Sequence, residues 1–363
     1  MADVPGKLIV LKNVTDVLRT VLYPGSKYDI VSLNMVREIR IAGQRISFSL
    51  VFKHSNDWNI EPLVLACEET IKKHFGEQTE IRNQIAVKFL NKDTEHSLLP
   101  QIKNIVVIAS GKGGVGKSTV AVNIAVALAN TGAKVGLIDA DVFGPSIPKM
   151  FGTEGERPIN ENVEGREVIN PIEKYGVKFL SIGFFVDNES AVVWRGPMAS
   201  NALKQLITES NWDELDYLLI DLPPGTSDIH LTIVQSIPVT GAVIVTTPQD
   251  VALADVIRGI SMFQSKSIDI PVLGLIENMS WFTPEEFPEN RYYIFGKDGG
   301  KILADKLGLK LLGQIPIVQS IRESGDNGVP VAINTKSFMG ATFSELAKNI
   351  VHQIHIRNKK SDS

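Results

Sequence analysis

The sequence predicts an α/β protein with a mostly parallel sheet flanked by helices, preceded by a small α+β domain. Beyond residue 103, short runs that are entirely apolar alternate with stretches of helical periodicity, the pattern of parallel strands joined by helical crossovers. Before residue 91, apolar and polar residues alternate with a period of two, which indicates half-buried strands. The predicted bounds are 1–91 for the small domain, 92–102 for a linker, 103–356 for the large domain and 357–363 for a flexible tail.

The small domain is predicted from three apolar patterns. The stretch RISFSLVF alternates from Ile46 to Phe52, and VREIRI precedes it across the turn-forming AGQ, so the two stretches are expected to form a hairpin. Apolar side chains then fall four residues apart along one helix face, at Leu63, Cys67, Ile71 and Phe75. IAVKFL is a further strand, and the polar stretch around Pro100 indicates the linker.

The large domain is predicted from its apolar runs, each of which is short enough to be a strand and apolar enough to be covered on both faces. Helical stretches separate the runs, so the strands are expected to be parallel. The runs read NIVVIAS, KVGLIDA, VKFLSIG, LDYLLID, GAVIVTT, PVLGLIENM and KLLGQIP.

Composition excludes several classes of function. The chain has 363 residues, a formal net charge of -4 and a single cysteine, Cys67. A broadly basic surface for nucleic acid is therefore not expected, and neither an intrachain disulfide nor a cysteine-rich metal site can be built from one chain. No apolar run approaches the roughly 18 residues of a membrane span. The N-terminus lacks a signal-peptide pattern, so we expect a cytoplasmic protein without stable membrane association.

A glycine-rich loop carries the strongest functional signal. Gly111 to Ser118 matches G-x-x-x-x-G-K-[ST] between a predicted strand and a predicted helix, which is the context that a phosphate-binding P-loop requires. Backbone N–H groups and the helix N-terminus would bind phosphate oxygens. Lys117 is expected at the β- and γ-phosphates, and Ser118 on Mg²⁺. The predicted ATP contacts are Gly111, Gly113, Gly114, Val115, Gly116, Lys117, Ser118 and Thr119.

Three aspartates lie at predicted strand ends. Asp221 ends LLID, while Asp139 and Asp141 follow VGLI. Strand ends of an open α/β sheet border the ligand crevice, so these carboxylates are candidates for a site near Mg²⁺. A single aspartate at such a position can equally cap the next turn.

The stretch KGGVGKS resembles the deviant P-loop of the ParA/MinD and nitrogenase-iron-protein group of ATPases. This resemblance implies that Lys112 reaches the nucleotide of a second copy, so that the ATP-bound form is a homodimer. It also implies that Asp141 orients the attacking water or accepts its proton. Asp139 and Asp221 would then support Mg²⁺ through its waters. A cation supplied on closure would stabilise charge that develops on the phosphoryl oxygens.

Residues 103 to 355 resemble the Mrp/ApbC family, which is linked to iron–sulfur cluster carriage. The similar blocks read DADVFGPSIPKM, VVWRGPM, LIDLPPGTSD, with Ser227 where glycine is usual, and GLIENMS. The resemblance implies an adenine contact at Asn278. It makes Arg195 a candidate for nucleotide sensing or for the dimer interface, although an exposed ion pair is an equal alternative. The N-terminal unit resembles the small domain of iron–sulfur assembly factors.

The chain departs from the Mrp pattern in its thiols. The family carries C-x-x-C shortly after ENM, whereas residues 281–298 here contain no cysteine. Four acidic residues in this stretch are either solvated charges or ligands for a harder cation: Glu285, Glu286, Glu289 and Asp298. The aromatic residues there suggest a contact surface: Trp281, Phe287, Tyr292 and Tyr293. Cys67 shares an apolar helix face, which favours a core role, and Glu61 stands where relatives of the small domain place a functional cysteine.

The leading interpretation is an Mg²⁺-dependent ATPase of slow turnover, acting as a nucleotide-gated homodimer in iron–sulfur cluster assembly or transfer. An iron–sulfur cluster is the implied cargo, and its thiol ligands are missing, so an adaptor role is the variant of this interpretation. Expected partners are iron–sulfur assembly proteins or apo-client proteins. One alternative is a MinD/ParA-like spatial or membrane-cycling switch that uses the basic end of the last helix. Another is a binding module in which ATP sets only dimerisation.

Overall fold

The structure is a computed structural model of the chain. Its described residues divide into two compact units, 1–97 and 98–363, and the division falls inside the stretch predicted as a linker. The residues that the structure describes are 10–24, 26–52, 59–81, 84–89, 99–142, 144–163, 166–185, 196–226, 228–266, 268–284, 286–287 and 289–361.

The N-terminal unit is a small sheet covered by helices. Strand β1 pairs antiparallel with β2, as the hairpin pattern predicts, and β2 pairs parallel with β3. Cys67 and the alternating apolar residues of β2 lie in its core. A first helix, α1, was not predicted from the sequence. The elements are α1 (Leu11–Leu18), β1 (Val36–Ala42), β2 (Arg45–Phe52), α2 (Ile60–Phe75) and β3 (Ile85–Phe89).

The C-terminal unit alternates strands and helices along the chain. Short 3-10 helices follow β9 and α9. The strands are β4 (Ile102–Ser110), β5 (Val135–Asp139), β6 (Ile159–Val163), β7 (Arg166–Asn170), β8 (Ile172–Lys174), β9 (Val177–Ser181), β10 (Leu215–Asp221), β11 (Gly241–Thr246), β12 (Val272–Glu277) and β13 (Leu311–Gln314). The helices are α3 (Lys117–Ala129), α4 (Ile147–Phe151), α5 (Gly196–Thr208), α6 (Asp228–Ser236), α7 (Asp250–Phe263), α8 (Gly299–Leu307), α9 (Gln319–Asn327) and α10 (Phe338–Ser361).

The main sheet has the order β13-β12-β11-β4-β10-β5-β9-β8. Its neighbouring strands are parallel except for the edge strand β8, which runs antiparallel to β9. Each predicted apolar run of the large domain is a strand of this sheet, and hydrophobic clusters cover both faces. The predicted fold class is therefore confirmed. The β6–β7 hairpin and β8 were missed because their residues are mostly polar or exposed.

The end of the chain differs from the prediction. Helix α10 continues to Ser361, so the stretch predicted as a flexible tail from residue 357 is helical over most of its length. Two causes explain the difference. Arginine and lysine are good helix formers, and the Asn358 side chain donates a hydrogen bond to Oδ1 of Asn104 at 3.1 Å, which ties the helix end to β4.

Candidate functional site

The glycine loop lies between the end of β4 and the start of α3. Gly114 and Gly116 both have φ of +80°, a left-handed conformation that glycine adopts without strain. A Cβ atom at Gly116 would lie 2.3 Å from Nδ2 of Asn278, and one at Gly111 would lie 2.5 Å from the carbonyl carbon of Asp255. These glycines therefore bring the loop backbone into close contact with Asn278, directly after β12, and with α7. The loop leads directly into the N-terminus of α3, where unpaired N–H groups favour an anion.

Two adjoining cavities open beside this loop. The first, of about 210 Å³, is lined by Lys112, Lys117, Asp141 and the glycines between. The second, of about 530 Å³, is lined by Asn278, by apolar side chains such as Phe295 and Ile321, and by the charged residues Lys149, Arg322 and Asp326. The two cavities share their boundary, which consists of Gly116, Thr119, Ser146 and Met150. A charged cavity that continues into a larger and more apolar one suits a ligand with an anionic end and a planar, less polar end.

Lys117, which lines the first cavity, forms a buried ion pair with Asp221 behind it. Lys117 Nζ lies 2.6 Å from Asp221 Oδ1, with side-chain exposures of 6% and 0%. Asp221 ends β10, directly beside β4, so neighbouring parallel strands bring the carboxylate and the loop together. The other oxygen, Oδ2, is buried without a hydrogen-bond partner among the described residues. Burial raises the pKa of Asp221, and the charge of Lys117 opposes this rise.

Asp139, at the end of β5, is also fully buried. Its Oδ2 accepts hydrogen bonds from the N–H of Ile147 and from the Ser181 hydroxyl, at 3.1 and 2.9 Å, while Oδ1 accepts from the N–H of Asp141 at 3.2 Å. Burial and the negative charge of Asp221 raise the pKa of Asp139 to about 7. Because both oxygens bind the chain itself, Asp139 fixes the loop that carries Asp141.

Lys112 and Asp141 both line the first cavity and are half-buried. The Lys112 side chain donates to Oε1 of Gln249 at 3.4 Å, and its backbone carbonyl accepts from the Ser110 hydroxyl at 3.0 Å. Gln249 is the N-cap residue of α7. The two lysines of the loop thus have separate partners, and Lys112 is more exposed than the buried Lys117.

Asn278 follows β12 and is 8% exposed. Its backbone N–H donates to the carbonyl of Thr246 at 2.7 Å, and its side-chain amide donates to the carbonyl of Val115 at 2.8 Å. These bonds place Asn278 against the glycine loop at the boundary of the second cavity. The structure therefore brings together the sequence-predicted loop, the three aspartates and Asn278.

Other chemically reactive side chains are outside the lining of these two cavities. Cys67 is fully buried in the N-terminal unit, which agrees with the predicted core role, and burial raises the pKa of its thiol to about 12. His230 is buried, and its Nε2 donates to the carbonyl of Pro223 at 2.8 Å. Within the described ranges, no group of three or more His, Cys, Asp or Glu side chains could hold a metal ion. Arg195 and Glu285 lie outside the described residues.

Sequence reasoning missed some residues of the site. Ser146 and Met150 line both cavities, Gln249 contacts Lys112, and Glu277 lies buried beneath the start of the loop that follows β12. Gln249 and Glu277 are polar residues beside the ends of apolar strands, which is the signal that identified the three aspartates. Ser146 and Met150 gave no such signal.

Known proteins resemble this chain over both units. The family described as NUBPL iron-transfer P-loop NTPase matches residues 101–353, and an iron-sulfur cluster assembly protein family matches residues 11–82. An iron-sulfur cluster carrier protein of a Synechocystis strain is 43% identical over 349 residues, which cover 96% of this chain and 98% of that protein.

Solved structures share the fold of the larger unit. A nucleotide-binding protein from Archaeoglobus fulgidus, in complex with ADP, is 35% identical with a TM-score of 0.57, covering 68% of this chain and 93% of that one. The cell division ATPase MinD of Pyrococcus furiosus is 26% identical with a TM-score of 0.50, covering 69% of this chain and 98% of that one.

The parallel sheet, the glycine loop and the buried Lys117–Asp221 pair define a P-loop NTPase of the ParA/MinD type. Within that class, the chain belongs to the NUBPL iron-transfer family, together with the Mrp/ApbC-like iron–sulfur cluster carriers. The predicted family is confirmed. None of the helices in the described ranges combines the length and apolar character that crossing a bilayer requires.

Proposed function

We propose that this protein is an Mg²⁺-dependent ATPase that acts as a nucleotide-gated homodimer in iron–sulfur cluster assembly or transfer. The observation that carries the proposal is the buried Lys117–Asp221 pair at 2.6 Å, whose lysine lines a cavity formed by the glycine loop. A buried cation that lies beside convergent N–H groups is the arrangement that binds a triphosphate.

The two adjoining cavities suit the two parts of ATP. The triphosphate would occupy the smaller cavity, against the loop N–H groups and the N-terminus of α3. Adenosine would occupy the larger one, where Asn278 provides an amide and the surrounding side chains provide apolar contacts. The Archaeoglobus fulgidus relative, which is described as bound to ADP, supports a nucleotide in this fold.

The residues of the site fit a magnesium ion as well. Oδ2 of Asp221 is a buried oxygen without a hydrogen-bond partner in the described structure, and Lys117, the partner of Oδ1, also lies 3.5 Å from the Ser118 hydroxyl. Ser118 would bind Mg²⁺ directly, with Asp221 and Asp139 behind its hydration shell. The ion, when bound, neutralises charge on the β- and γ-phosphate oxygens. Lys117 would exchange its carboxylate partner for these oxygens, because the triphosphate carries more negative charge than Asp221.

Hydrolysis then depends on Asp141 and Lys112. Asp141 would orient a water molecule toward the γ-phosphorus and accept its proton, as the bond between the γ-phosphorus and the leaving β-phosphate oxygen breaks to give ADP and phosphate. Lys112 lines its own cavity and is half-buried. In the proposed dimer, Lys112 of the second copy completes the cation set around the transferred phosphoryl group.

The iron–sulfur cluster is the cargo of the proposed cycle. Relatives are named iron–sulfur cluster carriers, but this chain has Cys67 as its one cysteine, and Cys67 is buried. Iron–sulfur clusters are held by thiolates in most proteins, so the chain would need ligands from a partner. We therefore favour an adaptor that uses ATP to control contact between an assembly protein and an apo-client.

The proposal is tested by ATP turnover and by anaerobic iron–sulfur reconstitution. Wild-type protein should hydrolyse ATP with Mg²⁺ and form a dimer with ATP, and Lys117→Ala should do neither. Reconstitution of the protein alone should give no stoichiometric cluster, whereas cluster transfer between a donor and an apo-client should accelerate when the protein and ATP are added. Absence of ATP turnover would refute the enzymatic part, and unchanged transfer would refute the adaptor part.

A MinD-like membrane switch is less well supported. The apolar stripe of α10 that would enter lipid consists of Leu346, Ile350 and Ile354, which are 2%, 1% and 3% exposed within the core of the larger unit. Insertion would therefore require the core to open. Co-sedimentation with liposomes in the presence of ATP should leave the protein in the supernatant.

A further inference from the structure

A carboxylate joins the two ends of the long loop that follows β12. Glu277 is the last residue of β12 and is fully buried. Its Oε2 accepts from the N–H of Gly300 at 2.6 Å, and its Oε1 accepts from the side-chain amide of Gln314 at 2.8 Å. The loop, residues 278–298, thus leaves the sheet at Glu277 and returns to the same side chain where α8 begins.

The returning end fits closely against this carboxylate. A Cβ atom at Gly300 would lie 3.0 Å from Oε2 of Glu277, and one at Gly299 would lie 2.3 Å from the carbonyl oxygen of Pro248. Glycine at both positions lets the first turn of α8 approach Glu277 and the segment before α7. A negative charge at a helix N-terminus is favourable, so Glu277 holds α8 by charge as well as by its hydrogen bond.

Both ends of this loop form walls of the larger cavity beside the glycine loop. Asn278 and Met279 contribute from the first end, while Ile294 and Phe295 contribute from the second. A change in the hydrogen bonds of Glu277 would therefore move two walls of one cavity. The cation and the N–H groups of the smaller cavity belong to the loop before α3, and the loop after β12 meets it through the side-chain amide of Asn278, which donates to the carbonyl of Val115.

We propose that Glu277 is a positioning residue for adenosine: it sets the shape of the larger cavity, and its carboxylate bonds Gly300 and Gln314 rather than the loop that would bind the triphosphate. This inference rests on the proposed function. In Glu277→Gln, an NH₂ group replaces one of the two carboxylate oxygens. This buried donor would then face a second donor, either the N–H of Gly300 or the side-chain amide of Gln314. The loop ends would then separate, and the contacts to the base would weaken because they come from those ends.

The test compares two probes on the full-length protein, MgATP and magnesium tripolyphosphate, by calorimetry. Glu277→Gln should bind MgATP about tenfold more weakly, which is within the effect of losing a hydrogen bond to a charged group. Its affinity for tripolyphosphate should stay within about twofold, since that ligand contacts only the phosphate site. Turnover at saturating ATP should change little, so that KM rises while kcat is retained.

Asp216→Asn is the matched control. Asp216 is a carboxylate near the start of β10, far along that strand from Asp221, where it binds Lys103 and the N–H of Lys134. This variant should bind both probes as the wild type does. If Glu277→Gln does not fold, Gly300→Ala is tested with the same two probes. Its Cβ atom would lie 3.0 Å from Oε2 of Glu277 and would displace the N–H group from that oxygen.

The outcomes separate this inference from the proposed function. Unchanged MgATP affinity in Glu277→Gln would overturn the inference, and so would an equal loss for both probes, which would indicate a general disturbance of the site. A wild-type protein that binds neither probe would overturn the proposed function and, with it, this inference. A selective loss of MgATP affinity supports the positioning role, because a merely structural role would not distinguish the two ligands.

Discussion

Lys117 Nζ and Asp221 Oδ1 lie 2.6 Å apart in a pair that is almost completely removed from solvent. Each charge needs the other, since an unpaired buried charge is costly. The lysine of the glycine loop is therefore held in position before a nucleotide arrives, and the carboxylate keeps one unpartnered oxygen in the described structure. In our proposal, ATP with its metal ion replaces the bond between the two residues by separate bonds to each.

The first prediction concerns the stability of this pair. Lys117→Met should lower the free energy of unfolding by about 3 kcal/mol, because it leaves a buried carboxylate uncompensated. The double variant Lys117→Met, Asp221→Leu should recover most of this loss, since apolar residues of similar volume can replace a buried pair. Urea unfolding without nucleotide measures both values. A double variant that is less stable than Lys117→Met would contradict this account.

The second prediction concerns the action of Lys112 across a dimer. Lys112→Ala and Asp141→Ala should each be inactive, yet an equal mixture should regain roughly a quarter of wild-type turnover, because half of the dimers are mixed and one of their two sites is complete. The complete site has Asp141 in one copy and Lys112 from the other. If Lys112 acts within its own copy, both sites of every mixed dimer are defective and the mixture stays inactive.

The third prediction concerns the two left-handed glycines of the loop. Gly114→Ala and Gly116→Ala share the strain of φ +80°, but only the Cβ atom at Gly116 meets a neighbour, Nδ2 of Asn278 at 2.3 Å. Gly116→Ala should therefore be less stable than Gly114→Ala by about 1–3 kcal/mol, the usual cost of overpacking. Thermal melts without nucleotide isolate this difference from any effect on binding. Equal melting temperatures would show that Asn278 moves away freely.

The fourth prediction concerns Cys67. Its pKa of about 12 arises first from burial, so the folded protein should react with a thiol reagent only as fast as the N-terminal unit opens. The same shift has a consequence for stability. The pKa of the Cys67 thiol is higher in the folded protein than in the unfolded chain. The neutral thiol therefore contributes fully to stability below the unfolded pKa, and this contribution is lost as the pH rises toward the folded pKa of about 12. The rate at which Cys67 is labelled in increasing urea should follow the unfolding of this unit. Fast labelling in native buffer would contradict the burial of Cys67 in the structure.

The strands of the large domain could be predicted because their apolar runs are long enough to be covered on both faces. The glycine loop followed from its spacing between a strand and a helix, and the contact of Asn278 with that loop agrees with its place at a strand end. What escaped prediction depends on contacts between distant parts of the chain. The bonds of Glu277 to Gly300 and Gln314 join residues 23 and 37 positions apart, and no local pattern encodes that pairing.

The missed elements have a similar explanation. Helix α1 is only 8 residues long, and its first turn contains no acidic residue. Its short apolar face therefore gives no pattern that distinguishes it from the flanking chain. The β6–β7 hairpin is largely polar, and its strands pair with each other rather than with the main sheet. The end of α10 was predicted as a tail from its composition, whereas the bond between Asn358 and Asn104 holds it as a helix.

The outer strands of the main sheet bear on how two copies could associate. Strand β8 has three residues and β13 has four, so each border of the sheet offers little unpaired backbone to another chain. Joining two molecules by extending one sheet into the next would therefore gain few hydrogen bonds. In the proposed dimer, copies that meet through the loops at the carboxyl ends of the strands would instead bring the two glycine-loop cavities face to face, and the two sheets would stay separate.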